Sequence, residues 1–150
     1  MIRYTLRNIS ADELSFKVHP VKATPDTRFE IKPLFSREIR RANENPRINA
    51  VALSCKIEST PESPKPFDLL VRMVGVFEVD DMNTDEDRRV FAVNATETIF
   101  PYLRAAIANL TADALITPLQ LPVVSGATLF PEDRAPSGYS FKVDDPHPFN

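Results

Sequence analysis

An α+β fold is predicted, in which a long helix packs on one face of a four-stranded antiparallel sheet. Residues 2–79 contain four stretches in which apolar and polar side chains alternate, the pattern of a half-buried strand. From residue 99 to residue 114 the apolar residues instead recur at spacings of three and four, which indicates a helix. A run of strands followed by a helix is typical of an α+β domain rather than of alternating β and α units.

The four strands are expected at residues 2–18, 28–41, 47–58 and 67–79. Residues 8–12 interrupt the alternation of the first strand and predict a bend or bulge. Pro33 falls inside the second strand and marks either an edge strand or an interruption. The fourth strand is apolar on both faces. This indicates that each face is covered, one by the helix and the other by a second subunit or a binding partner.

The helix is expected to start after Thr84, a candidate N-cap, with an acidic run at residues 85–87 where the helix dipole favours negative charge. Asn94-Ala95-Thr96 and Pro101 predict a broken helix, with two pieces meeting near residues 95–101. Behind it lie an extended apolar segment and then a proline-rich stretch with a short strand at residues 139–143. The chain is therefore expected to form a domain at residues 1–130 and a loose tail at residues 131–150.

Composition narrows the class of function. The net charge of −3, with 18 basic and 21 acidic residues, argues against nucleic acid as a partner, because phosphate binding requires a positive surface. The single cysteine, Cys55, and an N-terminus without an apolar export core indicate a cytoplasmic protein. No apolar run approaches the roughly 20 residues that span a bilayer. His19, His147 and Cys55 have no metal-ligand spacing, so no metal, cofactor or catalytic site is expected.

A more specific signal lies in the second half of the helix and the segment behind it. It reads Ile99-Phe100-Pro101-Tyr102-Leu103-Arg104, then Pro118-Leu119-Gln120-Leu121-Pro122-Val123, then Leu129-Phe130. The first strand adds Tyr4-Thr5-Leu6-Arg7-Asn8-Ile9 and Glu13-Leu14-Ser15-Phe16. Together these pieces resemble the SecB family of protein-export chaperones, in which a helix entered through F-P-Y-x-R precedes a P-x-L-x-L-x-P-V-type loop and an L-F pair. The resemblance covers residues 3–130.

The resemblance implies a four-stranded antiparallel sheet with a long helix, assembly as a dimer of dimers, and apolar grooves that bind unfolded chains without a cofactor or hydrolysis. It implies an ATP-independent holdase, a homotetramer or homodimer, whose partners are unfolded or precursor polypeptides and possible delivery targets such as the SecA motor. The alternative is a dedicated protein on the same fold that protects one partner, such as an antitoxin or a phage protein. Family members carry a second helix after the L-F pair, whereas Pro131–Gly138 predicts that this C-terminal helix is missing here.

The candidate client-binding residues are apolar and concentrate behind the helix, since a holdase requires a broad apolar surface that accepts many sequences. They are Phe35, Phe77, Leu119, Leu121, Val123, Val124, Leu129 and Phe130. The alternative for each is a role in the core, because most buried apolar side chains only pack.

Three further groups are singled out by charge or side-chain size. The candidate oligomer interface combines apolar strand residues with small helix residues: Tyr4, Leu6, Ala105 and Ala108. The acidic candidates for partner binding, for which chemistry of the turn and the helix start is the favoured interpretation, are Asp80, Asp81, Asp85 and Glu86. A basic cluster, interpreted as a solvated strand end rather than an anion site, comprises Arg37, Arg40, Arg41 and Arg47.

Overall fold

The computed structural model describes residues 2–19, 31–114, 121, 129–130 and 142–143. In chain order, the elements are β1 (Tyr4–Val18), β2 (Leu34–Arg41), β3 (Ile48–Ile57), β4 (Phe67–Val79), α1 (Asp85–Asp113) and the short β5 (Lys142–Val143). The strands form one sheet in the order β1-β4-β3-β2-β5. The first four pair antiparallel, and β5 pairs parallel with the end of β2. The predicted fold class, a four-stranded antiparallel sheet with a long helix, is confirmed.

The strand boundaries follow the sequence pattern closely. β4 spans the predicted residues, and β1 contains two register shifts, between Leu6 and Asn8 and between Ala11 and Glu13. These shifts confirm the irregularity predicted in the first strand. β2 begins at Leu34, so Pro33 precedes the strand instead of interrupting it. A proline at this point is consistent with its lack of a backbone donor for the ladder.

The helix differs from the prediction in one respect, because the break expected near residues 95–101 does not occur. α1 runs without interruption and contains Pro101, which lies on its exposed side. Thr96 is fully buried, and its hydroxyl donates to the carbonyl oxygen of Ala92 at 2.7 Å. A buried threonine bonded one turn back is compatible with a helix, and packing of the helix face outweighs local propensity. Thr84 caps the start as predicted, accepting from the amide of Asp87 at 3.0 Å.

The core lies between α1 and one face of the sheet. Its largest fully buried side chains include Phe77 on β4 and Phe91 on α1, whose rings meet edge to face at 5.5 Å. Gly75 allows the helix to approach the sheet, since a Cβ built there would lie 3.0 Å from Cδ1 of Ile99. In the part of the chain that the structure describes, no helix has the length and apolarity to cross a membrane.

The opposite face of the sheet carries a narrow strip of small apolar side chains, Ala50, Ala52 and Val74, all buried. Charged residues frame this strip. Arg72 on β4 lies 3.1 Å from a carboxylate oxygen of Glu38 on β2, so this ion pair crosses β3. A second carboxylate, that of Asp12 on β1, also lies 3.1 Å from the same guanidinium. The second apolar face of β4 is therefore covered in part by the chain's own side chains.

Most of the predicted tail at residues 131–150 and the predicted absence of a C-terminal helix lie outside the described residues. The exception is β5, which falls within the short strand expected at residues 139–143 and pairs with Arg40 and Arg41.

Candidate functional site

A row of contacts joins β2 to α1, and we call it the β2–α1 seam. On β2, Phe35 and Arg37 point to the helix side of the sheet, since they share the alternation of the buried Ile39. The Phe35 ring lies 6.2 Å from that of Phe100, and Nη1 of Arg37 donates to Oγ1 of Thr96 at 2.9 Å. Thr96 and Phe100 are separated by one helical turn, so the two contacts are successive rungs along the seam.

Two described points of the chain behind the helix contact arginines of these elements: Leu121 contacts Arg104 of α1, and Phe130 contacts Arg37 on the seam. Leu121 is buried, and its carbonyl oxygen accepts from Nε of Arg104 at 2.6 Å. Phe130 is also buried, and the guanidinium carbon of Arg37 lies 4.5 Å from the centre of its ring. A cation at this distance over an aromatic face is attracted by the ring quadrupole. The backbone carbonyl of Leu121 is therefore bound at Arg104, and the aromatic ring of Phe130 is bound at Arg37.

The structure brings together half of the predicted client-binding residues. Phe35 is half-buried and Phe130 is buried on the seam, Leu121 is buried beside Arg104 of α1, and Leu129 is half-buried against the core. Phe77 instead lies fully buried between β4 and α1, which is the core role that its pattern also allowed. The remaining candidates, Leu119, Val123 and Val124, lie outside the described residues.

The sequence interpretation missed the roles of Arg37 and Arg104. Arg37 was assigned to a solvated cluster, yet its guanidinium reaches the helix at Thr96 and lies 3.5 Å from the carbonyl oxygen of Ala92. A signal was present, because Arg37 alternates with Phe35 and Ile39 and so had to face the helix. Arg104 belongs to the F-P-Y-x-R motif, whose pattern carries no indication of which backbone group its side chain contacts.

Most of the acidic candidates form ion pairs with nearby arginines. Asp80 pairs with Arg47 at 2.9 Å, and its other oxygen accepts from the amide of Arg3 at 3.2 Å. Asp85 and Glu86 pair with arginines one turn along α1, each at 2.5 Å. The hydrogen bond from Arg89 lowers the pKa of Glu86. Asp81 is exposed. This arrangement matches the turn and helix-start chemistry that was the alternative role for these residues.

The candidate oligomer-interface residues lie on the helix side of the molecule. Tyr4 is partly exposed and its ring also packs edge to face on Phe77 at 6.1 Å, while Leu6 is half-buried. On the outer side of α1, Ala105 is exposed and Ala108 is half-buried. These positions are accessible in the described chain, and their role as an interface stays a prediction.

One polar cluster of the described chain joins the end of β1, β4 and the connection between β3 and β4. His19 and Asp68 pair at 2.8 Å at the end of β1, and the backbone amide of Ser59 donates to Asp68 at 2.7 Å. These two hydrogen bonds lower the pKa of Asp68, the one from Ser59 contributing most. The pair fastens the proline-rich connection between β3 and β4 to the sheet. Within the ranges that the structure describes, no three His, Cys, Asp or Glu side chains could hold a metal ion together.

Cys55 is fully buried on β3, and burial raises the pKa of its thiol to about 12. Because the thiolate is the reactive species, we expect native Cys55 to react with a disulfide reagent at pH 8 far more slowly than the unfolded chain does. Stability does not change with the ionisation of this thiol below its unfolded pKa of about 8.5, and it falls as pH rises from there toward the folded value, because the unfolded chain loses the proton first. Leu34→Cys, on an exposed strand position, serves as the reactive control. Equal rates for native and control thiols would contradict the burial.

Comparison with known proteins identifies the family. The family model for SecB, preprotein translocase subunit SecB, matches residues 5–136. A protein-export protein SecB of Anaplasma phagocytophilum is 30% identical over 88 residues, which are 57% of this chain and 56% of that protein. An uncharacterized protein of Methanocaldococcus jannaschii is 30% identical over 103 residues, 68% of this chain and 66% of that protein. The matches thus span between about half and two thirds of these relatives.

The fold has a counterpart among solved structures. The Mycobacterium tuberculosis SecB-like chaperone Rv1957, determined in complex with a ChAD peptide from the HigA1 antitoxin, superposes with a TM-score of 0.68. The similarity covers 82% of this chain and 91% of that one at 18% sequence identity, so it concerns the fold. With the family model matching most of the domain and the topology agreeing, the chain belongs to the SecB family.

Proposed function

We propose that this protein is an ATP-independent holdase chaperone that binds non-native polypeptides along the β2–α1 seam. The observation that carries the proposal is that the seam already holds a side chain from outside its own two elements, that of Phe130, while Arg104 of α1 binds the backbone carbonyl of Leu121. Membership of the SecB family supports the same class of function. Precursors destined for export and other unfolded chains are the proposed clients.

The chemistry of the seam suits a binder with little sequence preference. Arg104 bonds a backbone carbonyl, a group that every client residue carries, while the half-buried Phe35 supplies apolar surface beside Phe100. Extended peptides are commonly recognised through their main chain with side chains entering loose pockets. Such recognition does not require nucleotide binding or hydrolysis.

Assembly and location are part of the proposal. Tyr102, Leu14 and Val18 are large apolar residues that stay exposed in the single chain, and Ala105 lies beside Tyr102 on α1. Apolar exposure of this kind favours association between copies, as a homodimer or a tetramer built from two dimers. We place the protein in the cytoplasm, where a lone reduced cysteine is the rule. Transfer of clients to the SecA motor is a further possibility within this proposal.

The alternative is a dedicated protein that protects one partner, such as an antitoxin. It is supported by the fold shared with a chaperone solved with an antitoxin peptide. The two readings differ in client range, so a pull-down that recovers one native partner instead of many unfolded chains would favour the dedicated role.

The test is suppression of aggregation. Stoichiometric protein without nucleotide should keep denatured citrate synthase in solution after dilution from guanidinium, and Phe35→Ala should weaken client affinity by about ten-fold, the size expected for an aromatic anchor. Leu34→Ala is the matched control, since Leu34 is the adjacent residue on β2 and is 68% exposed. If aggregation is unchanged across several clients, the general holdase function fails. If both variants weaken binding equally, clients bind elsewhere.

A further inference from the structure

Phe130 and Arg37 together close the β2–α1 seam. Phe130 is 6% exposed, so in this conformation its ring offers almost no surface to a client. It lies in the core cluster that also contains Phe100 and Leu103 of α1. A client that packs along the seam therefore competes with a side chain that is already there.

Arg37 is positioned to hold that ring. Its guanidinium is oriented from the helix, through a 2.9 Å bond to Thr96 and a 3.5 Å contact with the carbonyl oxygen of Ala92. Thr96 donates its own hydroxyl hydrogen to Ala92, so its oxygen lone pairs remain directed at Arg37. The group is thus fixed on one side by hydrogen bonds, and its central carbon lies over the Phe130 ring at 4.5 Å from the ring centre. A cation at this distance is attracted by the ring quadrupole.

We propose that Arg37 and Phe130 form an intramolecular latch that keeps the seam closed in the absence of a client, and that clients bind after Phe130 leaves it. The inference rests on the proposed function, because it concerns access to the same seam. Arg37 acts through Phe130 and is a positioning residue. The fraction of molecules with the latch open sets the apparent affinity, since the apparent affinity is the affinity of the open state multiplied by that fraction.

The latch predicts whether a substitution at Arg37 raises or lowers the affinity for a client. Arg37→Met keeps the length of the stem but removes the cation, so it should raise the affinity for unfolded, carboxymethylated α-lactalbumin by about two- to five-fold, the factor that corresponds to a cation–π contact. Arg41→Met, the same change on the same strand at an exposed position, is the control and should leave the affinity unchanged. Thr96→Val retains Arg37 and should raise the affinity in the same direction by less.

A second readout follows the segment itself. Leu129→Cys places a thiol beside Phe130, while Cys55 remains buried and unreactive. Alkylation of this thiol should accelerate when α-lactalbumin is added, and it should be faster in the Arg37→Met background even without a client. Both affinity and alkylation are measured on the full chain, with thermal unfolding to show that each variant is folded.

The outcomes separate the two proposals. If Arg37→Met lowers the affinity, Arg37 contacts clients directly and the latch is wrong. Unchanged affinity with unchanged alkylation overturns it as well. If α-lactalbumin binds to none of the proteins, the holdase function fails, yet faster alkylation of the Arg37→Met variant would still establish the latch. Where that variant does not fold, Thr96→Val carries the same test.

Discussion

Replacing Phe77 by alanine is expected to lower the free energy of unfolding by about 3–5 kcal/mol, the range for a buried phenylalanine. The side chain is fully buried where β4 meets α1, and its ring contacts those of both Phe91 and Tyr4. Truncation would leave a cavity that the sheet and the helix, fixed by their other contacts, could fill only in part. Urea denaturation of the wild type and the variant measures the difference.

Comparing Phe77→Ala with Phe35→Ala separates an effect on stability from an effect on client binding. Phe35 is half-buried, so its truncation should cost clearly less stability while weakening client binding. Phe77→Ala, studied where it is still folded, should bind clients with nearly the affinity of the wild type. The opposite pattern, a stable Phe77→Ala protein with lost client binding, would show that Phe77 belongs to the client site and not to the core.

Introducing a side chain at Gly75 is the change with the next largest expected effect. A Cβ there would lie 3.0 Å from Cδ1 of Ile99 and 3.0 Å from Cε2 of Phe77. Gly75→Val should therefore push α1 away from β4 and destabilise the protein by about 1–3 kcal/mol, as overpacking of a core does. Thermal and urea unfolding give the size of the loss.

A second substitution tests the proposed cause. Ile99→Val removes the Cδ1 atom nearest to the introduced side chain, so it should recover part of the stability lost in Gly75→Val although it costs about 0.5–1.5 kcal/mol alone. A double-mutant cycle isolates this coupling. Strictly additive losses would mean that the crowding at Gly75 comes from elsewhere.

Alternation along the strands allowed much of the fold to be predicted. The bounds of β4 and the bulged β1 followed from the positions of apolar residues, because a side chain on a strand faces the core or not according to its parity. The helix was predicted from spacing, but its continuity was not. Local signals at Thr96 and Pro101 favour a break, whereas burial of Thr96 against the sheet stabilises the helix there.

The seam was harder to predict, since it depends on contacts between residues distant in sequence. The bond from Arg37 to Thr96 spans 59 positions, and its orientation follows only once β2 is known to lie beside α1. The bond from Arg104 to the carbonyl of Leu121 involves a backbone group, which no residue pattern marks. The wrong placement of Phe77 in the client site has a different cause, because an apolar side chain suits a groove as well as a core.

The face of the sheet opposite α1 differs from the helix-covered face in its charged side chains. Ala50, Ala52 and Val74 are short, and the charged side chains of Glu38 and Arg72 stand over the strip that they form. Two copies of this sheet face could pack together only by removing water from the charged side chains, which is unfavourable. The same cost opposes the approach of a misfolded chain that exposes a flat, apolar β-sheet surface. The ion pairs therefore disfavour association through this face of the sheet.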